Sequence, residues 1–402
     1  MPTATKRFAA PYREVLSSAP ARRLAVVSVL SKIPYNMFPI STVLLLSPRY
    51  SYGSAGTAVG VVLFANAVTS PLRGRLSTSR RARLVLAVCV TGYLVGVAGL
   101  GFAAVRQLPL AAVFGLAVVV GICTPPVGIQ LRARWAAADR GRDRPTGTAL
   151  ESALMDVTLV SSPLLAAWLS VVAPPGFSYV VIGVLMSVAV ALLLPVVKDG
   201  LPPRPAGPQR RAGGWTTGLA VVFGAQFLYC AGLSAIEVAL PIYAQQQHAT
   251  GYSGWLLAGL SLGSVVGALA LGSSRTLARV GTGTLLGVFS AGAAVLAAAT
   301  TASPAAALLV SPVAGVAVGT AFARFYTTID ALTPPGADGA VQGWAVSVTA
   351  VGFSAGTVLG ATAADAHGAT TAVLLGPAAG VAAIVLTLGA RLLRDPNEVE
   401  WR

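Results

Sequence analysis

Ionisable side chains stand inside several long apolar stretches of this 402-residue chain, and these residues could do chemistry. Lys32 lies near the middle of a stretch from about 24 to 46, and Glu151 and Asp156 lie in one from about 147 to 172. A charge at the centre of a membrane helix costs about 2.5 to 3.5 kcal/mol even on the insertion scale that gives the smallest values. Each of these residues is therefore a candidate functional group.

Lys32 shares a helical face with further polar residues. Helical spacing places Ser28, Tyr35 and Asn36 on that face, so we expect Lys32, Tyr35 and Asn36 to contact a substrate. One alternative is that Lys32 is a structural ion-pair partner. The other, in which its ammonium extends to the membrane surface, is less favoured because Lys32 lies nine residues beyond Arg23.

The two carboxylates near residue 150 differ in predicted depth. Asp156 is the deeper, and burial in a low-dielectric medium favours a protonated carboxyl, as proton coupling requires. A tight pair with Lys32 would instead keep Asp156 ionised and structural, and both interpretations stay open. We expect Glu151, close to the cytoplasmic end, to be solvated or paired with a loop, and we keep it as a further proton-coupling candidate.

A third polar face lies in the stretch from about 216 to 243. Gln226, Cys230 and Glu237 recur there at spacings of four and seven residues, which places them on one side of a helix. Glu237 is a candidate ligand for a proton or a substrate; the alternative is a hydrated outer rim. Gln226 and Tyr229 are candidate substrate contacts.

The composition is that of a membrane protein. Apolar residues make up 55% of the chain and charged residues 10%, against about 25% charged in an ordinary soluble domain. The net charge of +15 does not indicate nucleic-acid binding, because the arginines sit in short loops between apolar stretches. We expect a lipid bilayer as the surroundings and no nucleic-acid partner.

The chain predicts an all-α fold with twelve transmembrane helices in two six-helix bundles. Segments of about the 20 residues that cross a bilayer lie near 24–46, 54–72, 84–105, 108–131, 147–172, 177–197, 216–243, 252–272, 280–300, 304–328, 340–363 and 369–390. The predicted parts are a cytoplasmic N-terminal segment (1–23), a first bundle (24–197), a Pro-rich basic linker (198–214), a second bundle (215–390) and a cytoplasmic tail (391–402).

The positive charges predict the orientation. Residues 71–83 carry five arginines between two apolar stretches, and Lys and Arg are retained on the cytoplasmic side during insertion. With both termini inside, 25 of the 28 Lys and Arg residues fall on cytoplasmic segments or span ends. We therefore expect a multi-pass protein of the bacterial inner membrane with both termini in the cytoplasm.

Motifs of soluble enzymes and metal sites lack their context here. The three cysteines all lie in apolar segments, and the two histidines lie in predicted outer loops. The sequence at 259–263 matches G-x-S-x-G but lies inside a predicted membrane helix, where the required strand cannot precede it. No Walker-type phosphate loop occurs. We expect no enzymatic activity, metal or cofactor, and no use of ATP.

The two halves and the basic loop together resemble the major facilitator superfamily of secondary transporters. Gly74 is matched by Gly272 after an offset of 198 residues, about half the chain. The loop pattern of the family, G-x-x-x-D-R-x-G-R-R, is met at Gly74 and Arg83, whereas Thr78 stands at its Asp and Arg81 at its second Gly. The resemblance implies two bundles that rock around a central site.

The fifth span is similar to the antiporter pattern of small residues that ends in Gly-Pro. Ser162 stands at the Gly and Pro163 at the Pro of that pattern. The resemblance implies gating roles for the loop and the span-5 proline, which we assign to Gly74, Arg75, Thr78, Arg81 and Pro163. We also expect Arg324 and Asp330, near the inner end of the tenth span, to form gate contacts on the cytoplasmic side.

These features lead to one expected function and two alternatives. We expect a monomeric secondary active transporter that exports an amphipathic small organic molecule in exchange for protons, driven by the proton gradient. One alternative is a proton-coupled importer of a small nutrient or organic anion, with Lys32 as the anion ligand. The other is a membrane sensor or scaffold that transports nothing, which would not need buried ionisable residues.

Overall fold

The computed structural model describes residues 17–77, 81–138, 146–197, 217–273, 276–333 and 338–392. Helices account for nearly all of these residues, and no strand occurs among them. The prediction of an all-α membrane fold is confirmed. The predicted linker at 198–214, most of the N-terminal segment 1–23 and nearly all of the tail 391–402 lie outside the described residues.

The first half of the sequence forms seven helices, of which two share one predicted span. They are α1 (Ala19–Leu46), α2 (Tyr52–Ser77), α3 (Ala82–Arg106), α4 (Leu110–Cys123), α5 (Val127–Ala138), α6 (Thr146–Val172) and α7 (Phe177–Leu193), and a 3-10 turn (Leu194–Val197) extends α7.

The second half of the sequence also forms seven helices, of which two share the last predicted span. They are α8 (Thr217–Gln246), α9 (Tyr252–Ser273), α10 (Thr282–Ala302), α11 (Pro304–Leu332), α12 (Asp338–His367), α13 (Ala369–Val373) and α14 (Leu375–Leu392), with a 3-10 turn (Leu277–Arg279) before α10. Local chemistry sets the helix ends: Ser303 accepts a hydrogen bond from the Ala306 N–H at 3.1 Å, and Pro304 follows at the first helical position.

Two compact units result, and their border does not follow the middle of the chain. One unit comprises residues 1–41 and 68–205, and the other comprises 42–67 and 206–402. The end of α1 and the first part of α2 thus pack with the helices of the second half of the sequence.

Eleven segments of the described chain are long and apolar enough to cross a membrane. The twelfth predicted span corresponds to α6, whose apolar part is the shorter segment Val157–Val172.

Prolines interrupt the fourth span. Helix α4 ends at Cys123, α5 begins at Val127, and Pro125 and Pro126 lie between them. Proline has no N–H to donate and its ring clashes with the preceding turn, so the helical ladder breaks here.

Glycines set the closest helix contacts. Gly352, Gly356 and Gly360 of α12 face α8, and a Cβ added at Gly356 would lie 2.0 Å from the Ala231 carbonyl oxygen. Both helices belong to the second compact unit. This glycine ladder therefore provides close packing within one unit, as small residues do at membrane helix interfaces.

Candidate functional site

A buried ion pair joins α1 to α6 in the first compact unit. Lys32 Nζ lies 2.6 Å from Glu151 Oε1, and the two side chains are only 14% and 10% exposed. Lys32 Nζ also donates to the Glu151 main-chain oxygen at 3.0 Å, and the Ser28 hydroxyl donates to Glu151 Oε2. Ser28 and Lys32 lie four residues apart on α1, so one face of this helix supplies both donors.

Glu151 corrects one of the sequence expectations. It is buried and paired, whereas its place near a helix end predicted a solvated acid or a loop contact. The physical reason is tertiary: the first turns of α6 pack beside α1, where Lys32 and Ser28 satisfy the carboxylate. Asp156 lies in the next turns of α6, and its side chain is outside the described part of the structure.

Two other polar residues on the Lys32 face of α1 differ in their exposure. Tyr35 is 45% exposed. Asn36 Nδ2 is buried and has no hydrogen-bond partner among the described residues. A buried amide without a partner is costly, so Asn36 provides a donor that a bound molecule could satisfy.

The second unit carries its own polar face on α8. Gln226 is fully buried and its Nε2 donates to Thr349 Oγ1 of α12 at 2.9 Å, while its Oε1 has no partner among the described residues. Ser234 and Thr357 continue the link between these helices, with hydroxyls 2.6 Å apart. The i, i+4 and i+11 spacing of the α8 residues gives Gln226 and Glu237 the shared helix side that was expected.

Glu237 is the acid of this face. It is partly exposed, and within the described residues it makes no ion pair and no side-chain hydrogen bond. A carboxyl in an apolar helix without a partner favours its neutral form, so Glu237 is able to exchange a proton or receive a ligand.

Tyr229 occupies the core of the second unit. It is fully buried, its hydroxyl donates to the Val318 carbonyl oxygen at 2.8 Å, and its ring meets Phe289 edge-on at 4.7 Å between centroids. Phe322 and Phe325 complete the aromatic cluster around it. Its hydroxyl is therefore already used to join α8 to α11.

Two arginines of the first unit, Arg73 and Arg134, make hydrogen bonds that the sequence did not predict. Buried Arg73 on α2 donates to the Thr124 carbonyl oxygen at the break between α4 and α5. On α5, Arg134 donates to the Gln130 side chain and, at 3.1 Å, to the Val196 carbonyl oxygen. The signals in the sequence were the four-residue spacing of Gln130 and Arg134 and the prolines that free the Thr124 carbonyl.

The remaining gating candidates are spread over both units. Gly74 packs against α5, because an added Cβ would lie 3.1 Å from Ile129 Cδ1. Pro163 lies inside α6. Arg81 and Asp330 are exposed and Arg324 is partly buried, whereas Thr78 and the side chain of Arg75 lie outside what the structure describes.

No group of three or more metal-ligating side chains occurs among the described residues.

Solved structures with the same fold are transporters. A nucleoside transporter, NupG, superposes with a TM-score of 0.70 at 12% identity and covers 94% of this chain and 100% of its own. A bacterial metal transporter gives a TM-score of 0.69 at 14% identity, with coverage of 93% and 99%. A POT family transporter in complex with 5-aminolevulinic acid gives 0.68 at 11% identity, with coverage of 93% and 95%.

The sequence itself carries the family assignment. No curated protein matches the chain significantly. The profile of the Major Facilitator Superfamily matches residues 24–357, which is most of the chain. The resemblance seen in the sequence is confirmed, and the protein is a multi-pass membrane transporter and no enzyme: it belongs to the Major Facilitator Superfamily.

Proposed function

We propose that this transporter exports an amphipathic small organic molecule in exchange for protons. The protein works as a monomer in the bacterial inner membrane, with both termini in the cytoplasm and the proton gradient as its energy source. The observation that carries the proposal is the buried pair of Lys32 and Glu151 on α1 and α6. Ionisable groups inside membrane helices are rare and costly, and those that occur commonly mark the pathway of a substrate or a proton.

The pair supports proton exchange through its hydrogen bonds. Protonation of the Glu151 carboxylate removes the charge that Lys32 Nζ contacts at 2.6 Å. Lys32 then keeps only its hydrogen bond to the Glu151 main-chain oxygen. A buried ammonium without a counter-charge is unfavourable, so Lys32 is driven towards another partner or another position. Protonation and rearrangement of α1 against α6 are thereby coupled.

Two further carboxyls stay in the proposal as proton carriers. Glu237 has no partner in the described residues, which suits a group that binds and releases a proton without breaking an ion pair. Asp156 lies one to two turns after Glu151 on the same helix.

The class of substrate follows from the scarcity of charge. Lys32 is neutralised by Glu151, so the first unit offers Tyr35 and Asn36 as uncharged contacts, and the second offers Gln226. Uncharged contacts of this kind in each unit favour a largely apolar molecule with a few hydrogen-bonding groups. While Glu151 is ionised, its ion pair occupies the Lys32 ammonium, and this disfavours the alternative of an anion carrier.

The test is uptake into proteoliposomes under an imposed pH gradient, with a panel of cationic, neutral and anionic amphiphiles. Proton exchange predicts accumulation when the lumen is acidic, because outward proton flow drives the substrate inward. Accumulation only with an alkaline lumen would indicate proton-coupled import and contradict the proposal. No gradient-dependent flux for any compound would contradict it as well.

Two matched variants test whether gradient-driven substrate flux depends on the ion pair of Lys32 and Glu151. Glu151→Gln should lose gradient-driven accumulation while the protein still exchanges substrate across liposomes without a gradient. Glu398→Gln removes a carboxylate near the end of the chain and serves as the control with unchanged flux. Unchanged coupling in Glu151→Gln would transfer the role to Glu237 or Asp156.

A further inference from the structure

The first turns of α2 lie in direct contact with the last turns of α12, inside the second compact unit. A Cβ added at Gly56 would lie 1.9 Å from Ala361 Cβ, and one added at Gly60 would lie 2.5 Å from Val358 Cγ2. The two backbones approach so closely only because these positions carry no side chain. The contact lies at the end of α2 opposite to the arginine loop.

A carboxylate closes the end of this contact. Asp365 Oδ1 of α12 accepts a hydrogen bond from the Tyr52 N–H, the first residue of α2, at 3.2 Å. Its Oδ2 would lie 3.1 Å from a Cβ at Gly53. The first N–H groups of a helix have no partner within the helix, and the helix dipole makes that end positive, so an acid there is favourable.

Two neutral hydrogen bonds also join the two halves of the sequence. Ser354 of α12 donates to the Gly60 carbonyl oxygen at 2.8 Å. Ser47, at the end of α1, donates to Gln245 Oε1 of α8 at 2.7 Å. Residues from the first and second halves of the sequence therefore meet here through glycines, hydroxyls and one charge.

We propose that Asp365 is a latch that holds α2 closed on α12 and that is released in each transport cycle. Alternating access in two-bundle transporters moves one bundle against the other, so a contact between the two sequence halves at one end must break when that end opens. Asp365 is exposed, so loss of the hydrogen bond from the Tyr52 N–H leaves its carboxylate in water and not buried without a partner. The latch depends on neither proton coupling nor the direction of transport.

The experiment reports opening through a cysteine in the contact. Val358→Cys places a thiol of similar size against Gly60, and a membrane-impermeant maleimide labels it only when α2 moves away. Purified full-length protein without this change gives the background from Cys89, Cys123 and Cys230. Ser354→Cys is a second reporter on the same face, should the first variant fold poorly.

The latch predicts a graded response at residue 365. Asp365→Ala should raise the labelling rate of the reporter about threefold to tenfold, and Asp365→Asn, which keeps an acceptor but no charge, should raise it less. High salt should reduce the difference in labelling rate between the parent protein and Asp365→Asn, because salt screens an exposed charge.

Ser51→Ala is the matched control. Ser51 Oγ accepts from the Ser54 N–H at 3.1 Å, so this variant also removes a cap from α2 but leaves the contact with α12 in place. It should lower thermal stability and leave the labelling rate unchanged. Equal labelling in Asp365→Ala and the parent protein would overturn the latch. An equal rise in Ser51→Ala and Asp365→Ala would also overturn it, because the effect would then come from fraying of α2.

Discussion

The pair of Lys32 and Glu151 predicts a specific pattern of stability. Removal of one partner from a buried ion pair leaves a buried charge and costs about 3 to 5 kcal/mol. The side chains are 14% and 10% exposed, so water screens the charges little. We expect the lower end, about 3 kcal/mol, because Lys32 keeps the Glu151 carbonyl oxygen and Glu151 keeps the Ser28 hydroxyl.

The variants are Lys32→Met and Glu151→Gln, alone and together. Methionine keeps much of the length of the lysine stem without its charge, and glutamine keeps the shape of the carboxylate. The double variant should recover to within about 1 kcal/mol of the parent protein, because neither charge remains buried alone. The coupling energy, which is the loss in the double variant minus the two single losses, should therefore have a magnitude of at least about 5 kcal/mol.

The assay is thermal unfolding of the protein in detergent at one fixed scan rate, because membrane proteins commonly unfold irreversibly. At roughly 1 to 2 °C per kcal/mol for a chain of this size, each single variant should lower Tm by about 3 to 6 °C. The double variant should regain most of that loss. Additive losses in the double variant would refute the reasoning, since they would mean that the two side chains do not interact.

Three further predictions test other parts of the structure. Glu237→Gln should leave Tm unchanged or slightly raised, because this carboxyl has no partner to lose among the described residues; a fall of several degrees would indicate a partner. Gly356→Ala should destabilise the protein by several kcal/mol, because the new Cβ would lie 2.0 Å from a carbonyl oxygen of α8. In the control Gly343→Ala the new Cβ meets nothing within 4 Å, so this variant should be neutral or stabilising by up to about 1 kcal/mol. Equal Tm values for the two variants would contradict the packing. Cysteines placed at Gly207 or Thr78 should react only with reagents on the cytoplasmic side, and labelling from outside would overturn the orientation taken from the arginines.

The fold could be predicted because its determinants are local. Apolar stretches of membrane-crossing length require helices, since every main-chain polar group must find a partner inside the segment. The break of the fourth span at Pro125 and Pro126 follows from the same local rules. The border of the compact units could not be predicted, because the packing of 42–67 with the second half depends on contacts between distant residues.

Position along the chain predicted only part of the candidate site. The depth and face of Lys32 indicated a buried charge with a partner in the fifth span, and that helix does supply one. The choice between Glu151 and Asp156 rested on their distance from the helix end. Packing pairs Glu151 with Lys32, because α1 places Lys32 and Ser28 beside the first turns of α6, whereas the role of Asp156 stays a prediction.

The latch residue Asp365 also gave no signal in the sequence. An acid at the end of an apolar helix is ordinarily solvated, and its partner is the main-chain N–H of Tyr52, 313 residues away in sequence. Main-chain donors leave no residue pattern, so only the structure could pair them.

The most direct test of the central claim is the pH of the lumen of proteoliposomes after substrate is added outside, with no pH gradient imposed. Proton exchange predicts that inward substrate flow makes the lumen more alkaline, and that Glu151→Gln abolishes this change while the substrate still enters. A lumen that becomes more acidic, or that keeps its pH while substrate enters the unmodified protein's liposomes, would contradict the account.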